Sequence, residues 1–335
     1  MTVAEQLWRQ AESADTIRPF VANAQVRCRG YSLGLQRIVT DFGADESYAR
    51  AAAKVKEHYQ IELCPGTVRK VTQQHGAQMQ SVPERKLRLP ASGVQELVAE
   101  TDGSMVPCVV FKEGSGDARK RREVCWKEAK LSLVREPGRA TARYAGTLLG
   151  AASAGLQWRQ IAVQEGAGQA TKMLGRGDGA PWIVRQGREQ FGEQWSYVLD
   201  FWHVSEYLGE VAAGDGEWLK EQQERLRRNE SASVVKELEE LGREAAGVRG
   251  EAARICGKYL AERAEYLDYA GALGRGLPIG SGEIESGNRS VVQERLKKSG
   301  AWWSVENAEK MLGLRTTRAS GEWENYWAEQ RHSRM

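Results

Sequence analysis

The amino-acid sequence predicts an α/β domain that carries a helical insertion and follows an all-α N-terminal region. Residues 32–80 divide into short helical patterns separated by tight turns. From residue 97 the pattern changes to short β-like stretches that alternate with helices, and residues 204–275 are strongly helical and charged. The 335 residues are 41% hydrophobic and 28% charged. This is a globular composition, and it excludes a wholly disordered, collagenous or coiled-coil chain.

Charge and cysteine content exclude further classes. The 48 basic and 45 acidic residues leave a net charge of +3, so only local clustering can indicate a nucleic-acid partner. The five cysteines are scattered without a CxxC pair, which favours a reducing compartment over a disulfide framework or a zinc ribbon. The first residues lack the order of a signal peptide, and the longest weakly polar run, Tyr144 to Trp158, is too short to span a bilayer. We therefore expect a soluble cytoplasmic protein.

The N-terminal region, residues 1–80, is predicted to contain a helix-turn-helix-like DNA reader. Helices are expected over Ser32–Thr40 and residues 45–59, and a third from Pro65, because proline is tolerated in the first turn of a helix. Two helices joined by a short turn suit the reading of a DNA groove, although an ordinary helical bundle has the same pattern. The polar residues expected on the exposed face of the third helix are Thr67, Arg69, Lys70, Thr72 and Gln73.

Residues 81–96 contain two prolines and no clean period, which predicts a linker. The expected order after the linker is three strands, then helix, strand, helix and strand, which is the order of an RNase H-like domain. Residues 97–203 would form the first part of this domain, residues 204–275 an insertion, and residues 276–330 its final helices. The predicted strands are Leu97–Phe111, Glu123–Val134, Arg139–Gly146, Ala170–Leu174 and Trp195–Phe201, with a weak helix over 147–170 and a clear one over Pro181–Gln190.

Three acidic residues stand out by their surroundings. Asp102 lies in an otherwise apolar strand, Asp178 lies between glycines after a short strand, and Glu285 begins a helix after a glycine-rich turn. Carboxylates placed in this way can converge at one end of a sheet, where hard oxygen ligands suit Mg²⁺ or Mn²⁺. Two such ions about 3.5–4 Å apart would serve phosphodiester displacement. Each aspartate precedes a glycine, however, and Asp-Gly is also typical of a plain turn.

Five segments together resemble bacterial insertion-sequence transposases of the ISKra type, which are DDE transposases with an RNase H-like catalytic fold. The resemblance covers roughly residues 97–327 in order and spacing. It implies that Asp102 and Asp178 are the first two acidic residues of the catalytic triad. It implies Glu285 as the last one, because the family's glutamate directly precedes a small residue, here Ser286; Glu283 is the alternative. The segments are TDGSMVP (101–107), REVCWKEAKL (122–131), GDGAPWI (177–183), LDFWHVSEYL (199–208) and the stretch that begins LPIGSGEIESGNR (277–315).

The resemblance also implies an activity and partners. Such an enzyme binds the terminal inverted repeats of a double-stranded DNA element, and uses two Mg²⁺ or Mn²⁺ ions to hydrolyse a phosphodiester and to transfer the freed strand. It works as a homodimer or a higher oligomer on DNA in the bacterial cytoplasm. Two other classes stay open: an inactive transposase derivative that only binds DNA, and an RNase H-like nuclease without strand transfer.

Asp200 and His203 match an Asp-x-x-His spacing that related transposases carry at this strand end. One interpretation places them near the metal site, where they would orient a ligand, water or nucleotide. The other is structural, with a partly buried Asp–His pair that caps the next helix. Glu128, on the second predicted strand, could also lie near the site.

Two basic segments are candidate DNA contacts because lysine and arginine neutralise phosphates. The first lies in a region, residues 112–143, with ten basic and five acidic side chains. The second precedes Trp302 and Trp303, which could stack on a base or form part of the core. Either segment could instead be a solvated face. The candidates are Arg119, Lys120, Arg121 and Arg122 in the first segment, and Arg295, Lys297 and Lys298 in the second.

Overall fold

The computed structural model describes residues 7–9, 16–24, 26, 30–114, 117, 121–245 and 247–332. Contacts between residues divide the chain into two units. The first, here called the helical unit, comprises Met1–Ser81, Val106–Lys127 and Val291–Met335. The second, here called the sheet unit, comprises Val82–Met105 and Glu128–Ser290. Among the described residues, no helix is both long and apolar enough to cross a membrane.

A five-stranded mixed sheet has the strand order β5-β4-β3-β6-β7. Strand β6 pairs in parallel with both β3 and β7, whereas β4 and β5 pair in antiparallel fashion. A separate antiparallel pair joins β1 and β2. The strands are β1 (Trp8–Arg9), β2 (Thr16–Ile17), β3 (Glu96–Phe111), β4 (Arg122–Arg135), β5 (Arg143–Thr147), β6 (Lys172–Gly177) and β7 (Trp195–Leu199).

The core of the sheet unit contains an aromatic cluster centred on Trp158. This side chain is fully buried, and its ring packs edge-to-face on Phe191 and Trp195, with centroids 5.7 and 5.1 Å away. Its indole N–H donates to the carbonyl oxygen of Leu133 at 3.3 Å, so burial does not cost it a hydrogen bond. The helices of this unit are α5 (Ala151–Gln164), α6 (Pro181–Phe191), α7 (Phe201–Ala212), α8 (Gly216–Arg227), α9 (Ser231–Glu244), α10 (Val248–Ala261), α11 (Tyr269–Gly274) and α12 (Gly282–Gly287).

The helical unit begins with helices whose starts are set by serine caps. The hydroxyl groups of Ser32 and Ser47 accept from the backbone N–H groups of Leu35 and Arg50, which satisfies donors that have no partner inside the helix. His75 lies in the core of this unit, bonded to Tyr326 at 2.7 Å. The helices are α1 (Pro19–Asn23), α2 (Leu33–Asp45), α3 (Tyr48–Tyr59), α4 (Pro65–Met79), α13 (Glu294–Leu296), α14 (Val305–Ala319) and α15 (Trp323–His332), with a π-helical turn over Asn288–Gln293.

The mixed α/β class predicted from the sequence is confirmed. Two strands have boundaries that differ from the prediction. The predicted strand over Arg139–Gly146 begins only at Arg143, because a turn precedes it. The strand predicted to end at Leu174 continues to Gly177, since two glycines and an arginine that are poor strand formers are nevertheless buried in the sheet. The predicted domain boundaries, including the linker, stay predictions.

Candidate active site at the carboxylate edge

Asp102 on strand β3 lies beside Asp178, the first residue after the neighbouring parallel strand β6. Glu100 on β3 faces Arg176 on β6, and the same offset of 76 positions relates Asp102 to Asp178. Neighbouring strands are about 4.8 Å apart, so the two carboxylates are close. Asp102 lies within a strand, as the sequence predicted, because β3 continues to Phe111. It lies where the adjacent strand β6 has just ended.

The carboxylate of Asp102 is held by two donors. Its Oδ1 accepts from the backbone N–H of Gly103 at 2.6 Å, and its Oδ2 accepts from the side-chain Nδ2 of Asn288 at 2.7 Å. Burial raises the pKa of Asp102, and the negative charges of Asp178 and Glu128 raise it further, against the two donors. Like charges therefore accumulate here, which costs stability and is typical of functional sites.

Asp178 lies in a loop that is fixed by contacts on several sides. Its Oδ1 accepts from the N–H of Ala180 at 2.9 Å, and its carbonyl oxygen accepts from the hydroxyl of Tyr259 on α10 at 2.6 Å. Gly179 has φ +78°, a left-handed conformation that favours glycine, and its N–H donates to the Tyr197 hydroxyl at 3.0 Å. The helical insertion thus takes part in positioning this aspartate.

Glu285 and Glu283 lie on different sides of helix α12. The helix packs on the sheet through Ile284 and Gly287, and a side chain at Gly287 would meet the ring of Tyr144. At about 100° per residue, Glu285 is about 60° from Asn288 around the helix axis and Glu283 is about 140° away. Because Asn288 contacts Asp102, Glu285 is the glutamate on the side of the aspartates.

Glu283 is occupied by an ion pair. Its carboxylate lies 2.7 Å from the guanidinium of Arg135 on β4, with both side chains largely shielded from solvent. Glu285, in contrast, is exposed. These positions favour Glu285 for the role that the sequence assigned to it and give Glu283 a structural contact.

A buried ion pair that the sequence did not reveal attaches helix α12 to the sheet. The side chains of Glu100 and Arg176 are 1% and 0% exposed, with Oε1 and Nη1 3.4 Å apart. The other carboxylate oxygen of Glu100 accepts from the backbone N–H of Ile284 at 3.0 Å. Burial raises the pKa of Glu100 to about 7, although the Arg176 charge opposes the shift. Glu100 thus connects strands β3 and β6 to the start of helix α12. Glu100 and Arg176 each lie two residues before one of the two aspartates, Asp102 and Asp178.

Asp200 acts as a cap and a connector. Its Oδ1 accepts from the backbone N–H groups of Trp202 and His203 at 2.6 and 3.1 Å, which caps helix α7. Its Oδ2 accepts from the N–H of Ser281 at 2.7 Å, directly before helix α12. The His203 ring does not contact this carboxylate but lies 3.4 Å from Glu206 and against Tyr259. The geometry favours the structural interpretation of this pair.

Glu128 on β4 is the further acidic group at this edge. A side chain at Gly103 would overlap its carboxylate, and its charge contributes to the raised pKa of Asp102. Glu128 pairs with Lys130, whose ammonium lies 3.9 Å from the centre of the Trp182 ring on α6. The alternating pattern of β4 made Glu128 a candidate, but nothing local pointed to Lys130.

The residues present fit a magnesium ion only in part. In the part of the chain that the structure describes, no group of three or more His, Cys, Asp and Glu side chains is arranged to hold a metal ion. Glu285 therefore does not form a preassembled cluster with the two aspartates. The donor set is nevertheless suitable, since Mg²⁺ is commonly bound by one or two carboxylates together with water and substrate phosphates.

The candidate DNA contacts divide into exposed and buried side chains. Arg69, Lys70, Arg122 and Lys297 are exposed. Arg121 is partly buried and donates to the carbonyl oxygen of Lys112 at 2.6 Å. Arg119 and Lys120 lie outside the described residues.

Two side chains of the helical unit that were predicted to contact DNA are buried, so those predictions are wrong. Arg295 is 3% exposed, and its guanidinium packs 5.1 and 4.9 Å from the ring centres of Tyr48 and Trp303. Thr67 is also buried, with its hydroxyl 3.3 Å from the Cys64 sulfur. Both face the packed side of their helices. Thr72 is buried and Gln73 half-buried as well.

Two of the three basic side chains of the second segment, Arg295 and Lys298, are buried or paired, and Lys297 is exposed. Lys298 is half-buried, with its ammonium 3.2 Å from Glu46. Of the two tryptophans that follow, Trp303 is a core residue, and Trp302 is 43% exposed with the Arg122 guanidinium 5.5 Å from its ring centre. Only Trp302 retains a face that could stack on a base.

The fold and the acidic edge together describe a mixed α/β protein with a candidate carboxylate active site. The chain belongs to the uncharacterised protein family UPF0236, which it matches over residues 37–331. None of the curated proteins matches the chain.

Proposed function

We propose that this protein is a DNA transposase of the DDE type, which cleaves the ends of an insertion sequence and joins them to target DNA. The observation that carries the proposal is the placement of Asp102 on β3 beside Asp178, the first residue after the neighbouring parallel strand β6, with the charge of Asp178 raising the pKa of Asp102. The helix that bears Glu285 is tied to the same edge through Asn288. The resemblance to ISKra-type transposases supplies the substrate and the reaction.

The sheet supports an RNase H-like architecture for the catalytic domain. Its first three strands in sequence, β3 to β5, are adjacent in the sheet, and β6 and β7 add in parallel on the other side of β3. Along the chain, three strands are followed by helix, strand, helix and strand, which is the element order that the sequence predicted. The four long helices of the insertion follow β7 and precede the glutamate helix.

The side chains of this edge have distinct roles in the proposed reaction. Asp102 and Asp178 would hold Mg²⁺ or Mn²⁺, and Glu285 would complete the site together with substrate phosphate oxygens. Two such ions, when bound, would supply Lewis-acid polarisation of the phosphodiester. Water attacks the phosphodiester at the element end, and the freed 3′-hydroxyl then attacks target DNA. The fixed Asp178 loop and the two donors on Asp102 keep both carboxylates oriented before substrate arrives.

The helical unit would bind the repeat ends. Arg69 and Lys70 are exposed on α4, and Arg122 and Lys297 are exposed elsewhere in the same unit. Such side chains neutralise phosphates without reading sequence. A dimer or higher oligomer on double-stranded DNA would bring two ends together.

The decisive experiment is a cleavage and strand-transfer assay on end-labelled DNA that carries the flanks of the element, with Mg²⁺ or Mn²⁺. The wild type should nick at the repeat ends and form joined products. Asp178→Asn should reduce cleavage by at least about 10³-fold, because one ligand of the proposed site is lost, while end binding is retained. Glu285→Gln should have a comparable effect, and Glu283→Gln, the matched control two residues away, should retain cleavage in folded protein.

Other results would reject the proposal in different ways. End-specific binding with no nicking in either metal indicates a DNA-binding protein only. Cleavage without end preference or joined products indicates a nuclease. End binding that is unchanged in Arg69→Ala/Lys70→Ala would reject these side chains as contacts to the repeat ends.

A further inference from the structure

Asn288 is a buried amide that touches a proposed catalytic carboxylate. It is 3% exposed, it directly follows helix α12, and its Nδ2 donates to Asp102 Oδ2 at 2.7 Å. It lies one helical turn after Glu285, so the same turn of backbone carries the candidate glutamate and the group that holds the first aspartate.

The other end of the same amide is unsatisfied. Among the described residues, Oδ1 of Asn288 is buried without a hydrogen-bond partner. A buried polar atom left in this state costs about 1–3 kcal/mol, and an apolar side chain of the same shape would avoid the cost. A merely structural position would therefore be better filled by leucine. The amide is costly to folding, and its one hydrogen bond is made to Asp102.

We propose that Asn288 is a positioning residue for Asp102: it fixes the orientation of that carboxylate, and with it the metal affinity of the site. The inference rests on the proposed function. With Nδ2 on Oδ2 and the Gly103 N–H on Oδ1, the Asp102 carboxylate plane cannot rotate. The remaining lone pairs are held in fixed directions, with Asp178 on the neighbouring strand. Asn288 also sets the distance between the glutamate helix and this aspartate.

The test separates positioning from packing with Asn288→Leu, which keeps the branched shape of the side chain and removes the donor. Mn²⁺ binding to the metal-stripped full-length protein is measured by electron paramagnetic resonance, and thermal unfolding is followed in EDTA. We expect Mn²⁺ affinity to fall about tenfold, as for other side chains that orient metal ligands, while the unfolding temperature stays equal or rises. Asn325→Leu is the matched control, since Asn325 also donates to a carboxylate, that of Glu322 at 2.7 Å, but on an exposed helix.

A second readout uses metal dependence of cleavage. In Asn288→Leu, the Mn²⁺ concentration for half-maximal cleavage should rise about tenfold, with a smaller change in the rate at saturating Mn²⁺. In Asp102→Asn, excess metal should not restore cleavage. Asn288→Ala serves as a second variant in case leucine is too large for the site. Its smaller side chain cannot overpack, and it should show the same loss of Mn²⁺ affinity.

The outcomes distinguish this inference from the proposed function. Mn²⁺ affinity within twofold of wild type in a folded Asn288 variant overturns the inference, as does a lowered unfolding temperature with unchanged affinity. Mn²⁺ binding that depends on Asp102 and Asn288 in a protein that never cuts DNA supports the inference and rejects the transposase. A wild type that does not bind Mn²⁺ overturns both.

Discussion

Charged side chains are arranged differently at the carboxylate edge of the sheet unit and in the helical unit. At the edge, Asp102 is close to two other negative groups and its pKa is raised, although Glu100 and Arg176 nearby form a buried pair. In the helical unit, the exposed Asp45 pairs with Arg315 and Arg318, and the buried Arg295 lies between two aromatic rings. Paired charge close to solvent contributes modestly to stability, whereas accumulated like charge opposes it and persists where a ligand or reaction uses it.

The largest expected change in stability concerns Arg295, the buried arginine of the helical unit. Arg295→Met should lower the free energy of unfolding by about 1–2 kcal/mol, because it removes the packing of the guanidinium on two rings and its hydrogen bond to the Gly43 carbonyl oxygen at 3.3 Å. Lys297→Met, two residues away and exposed, should change it by no more than about 0.5 kcal/mol. Urea unfolding at pH 7 measures both. Equal effects would show that Arg295 is not held as described.

The same substitution should have opposite signs in the two units. Asp45→Asn loses two arginine partners and, because the Asp45 side chain is 50% exposed, should destabilise by no more than about 1 kcal/mol. Asp102→Asn should stabilise by up to about 1 kcal/mol at pH 7 in EDTA. The pKa of Asp102 is raised in the folded state, so its ionised form disfavours folding above the unfolded pKa. The gain should vanish below about pH 4, where the carboxyl group is protonated in both states. Destabilisation by Asp102→Asn at pH 7 would contradict the like-charge account.

The smallest expected change in stability concerns Glu46 of the helical unit, and it should depend on pH. Lys54 and Lys298 lower the pKa of Glu46 to about 2, so the ionised form stabilises the helical unit above the unfolded pKa of about 4.5, and this stability is lost as the pH falls towards 2. Glu46→Gln should therefore cost about 0.5–1 kcal/mol at pH 7 and less at pH 3, as expected for pairs close to solvent. Chemical unfolding at both pH values gives the difference. A cost independent of pH would assign the effect to packing.

The two units also differ in how well their residues could be assigned from the sequence. Asp102 and Asp178 could be named because a carboxylate in an apolar strand and an aspartate between glycines are local anomalies. Arg295 could not be assigned correctly, since an arginine in a basic run has the same local signature whether it faces solvent or packs on aromatic rings, one of which, Tyr48, comes from a distant part of the chain. Thr67 was misplaced for the same reason, because the face on which a helix packs depends on its neighbours.

The sequence by itself determined the mixed α/β class, most element positions and two of the acidic candidates, because helix caps, prolines, glycines and alternation act within a few residues. Serines before α2 and α3 and prolines at the start of α4 and α6 are such local signals. Only the tertiary structure decided that Glu283 pairs with Arg135, that Glu100 and Arg176 form a buried pair, and that Asn288 holds Asp102. These contacts join residues that are 76 to 186 positions apart. Strand register and helix phase bring such residues together, and both are set by packing of the whole domain.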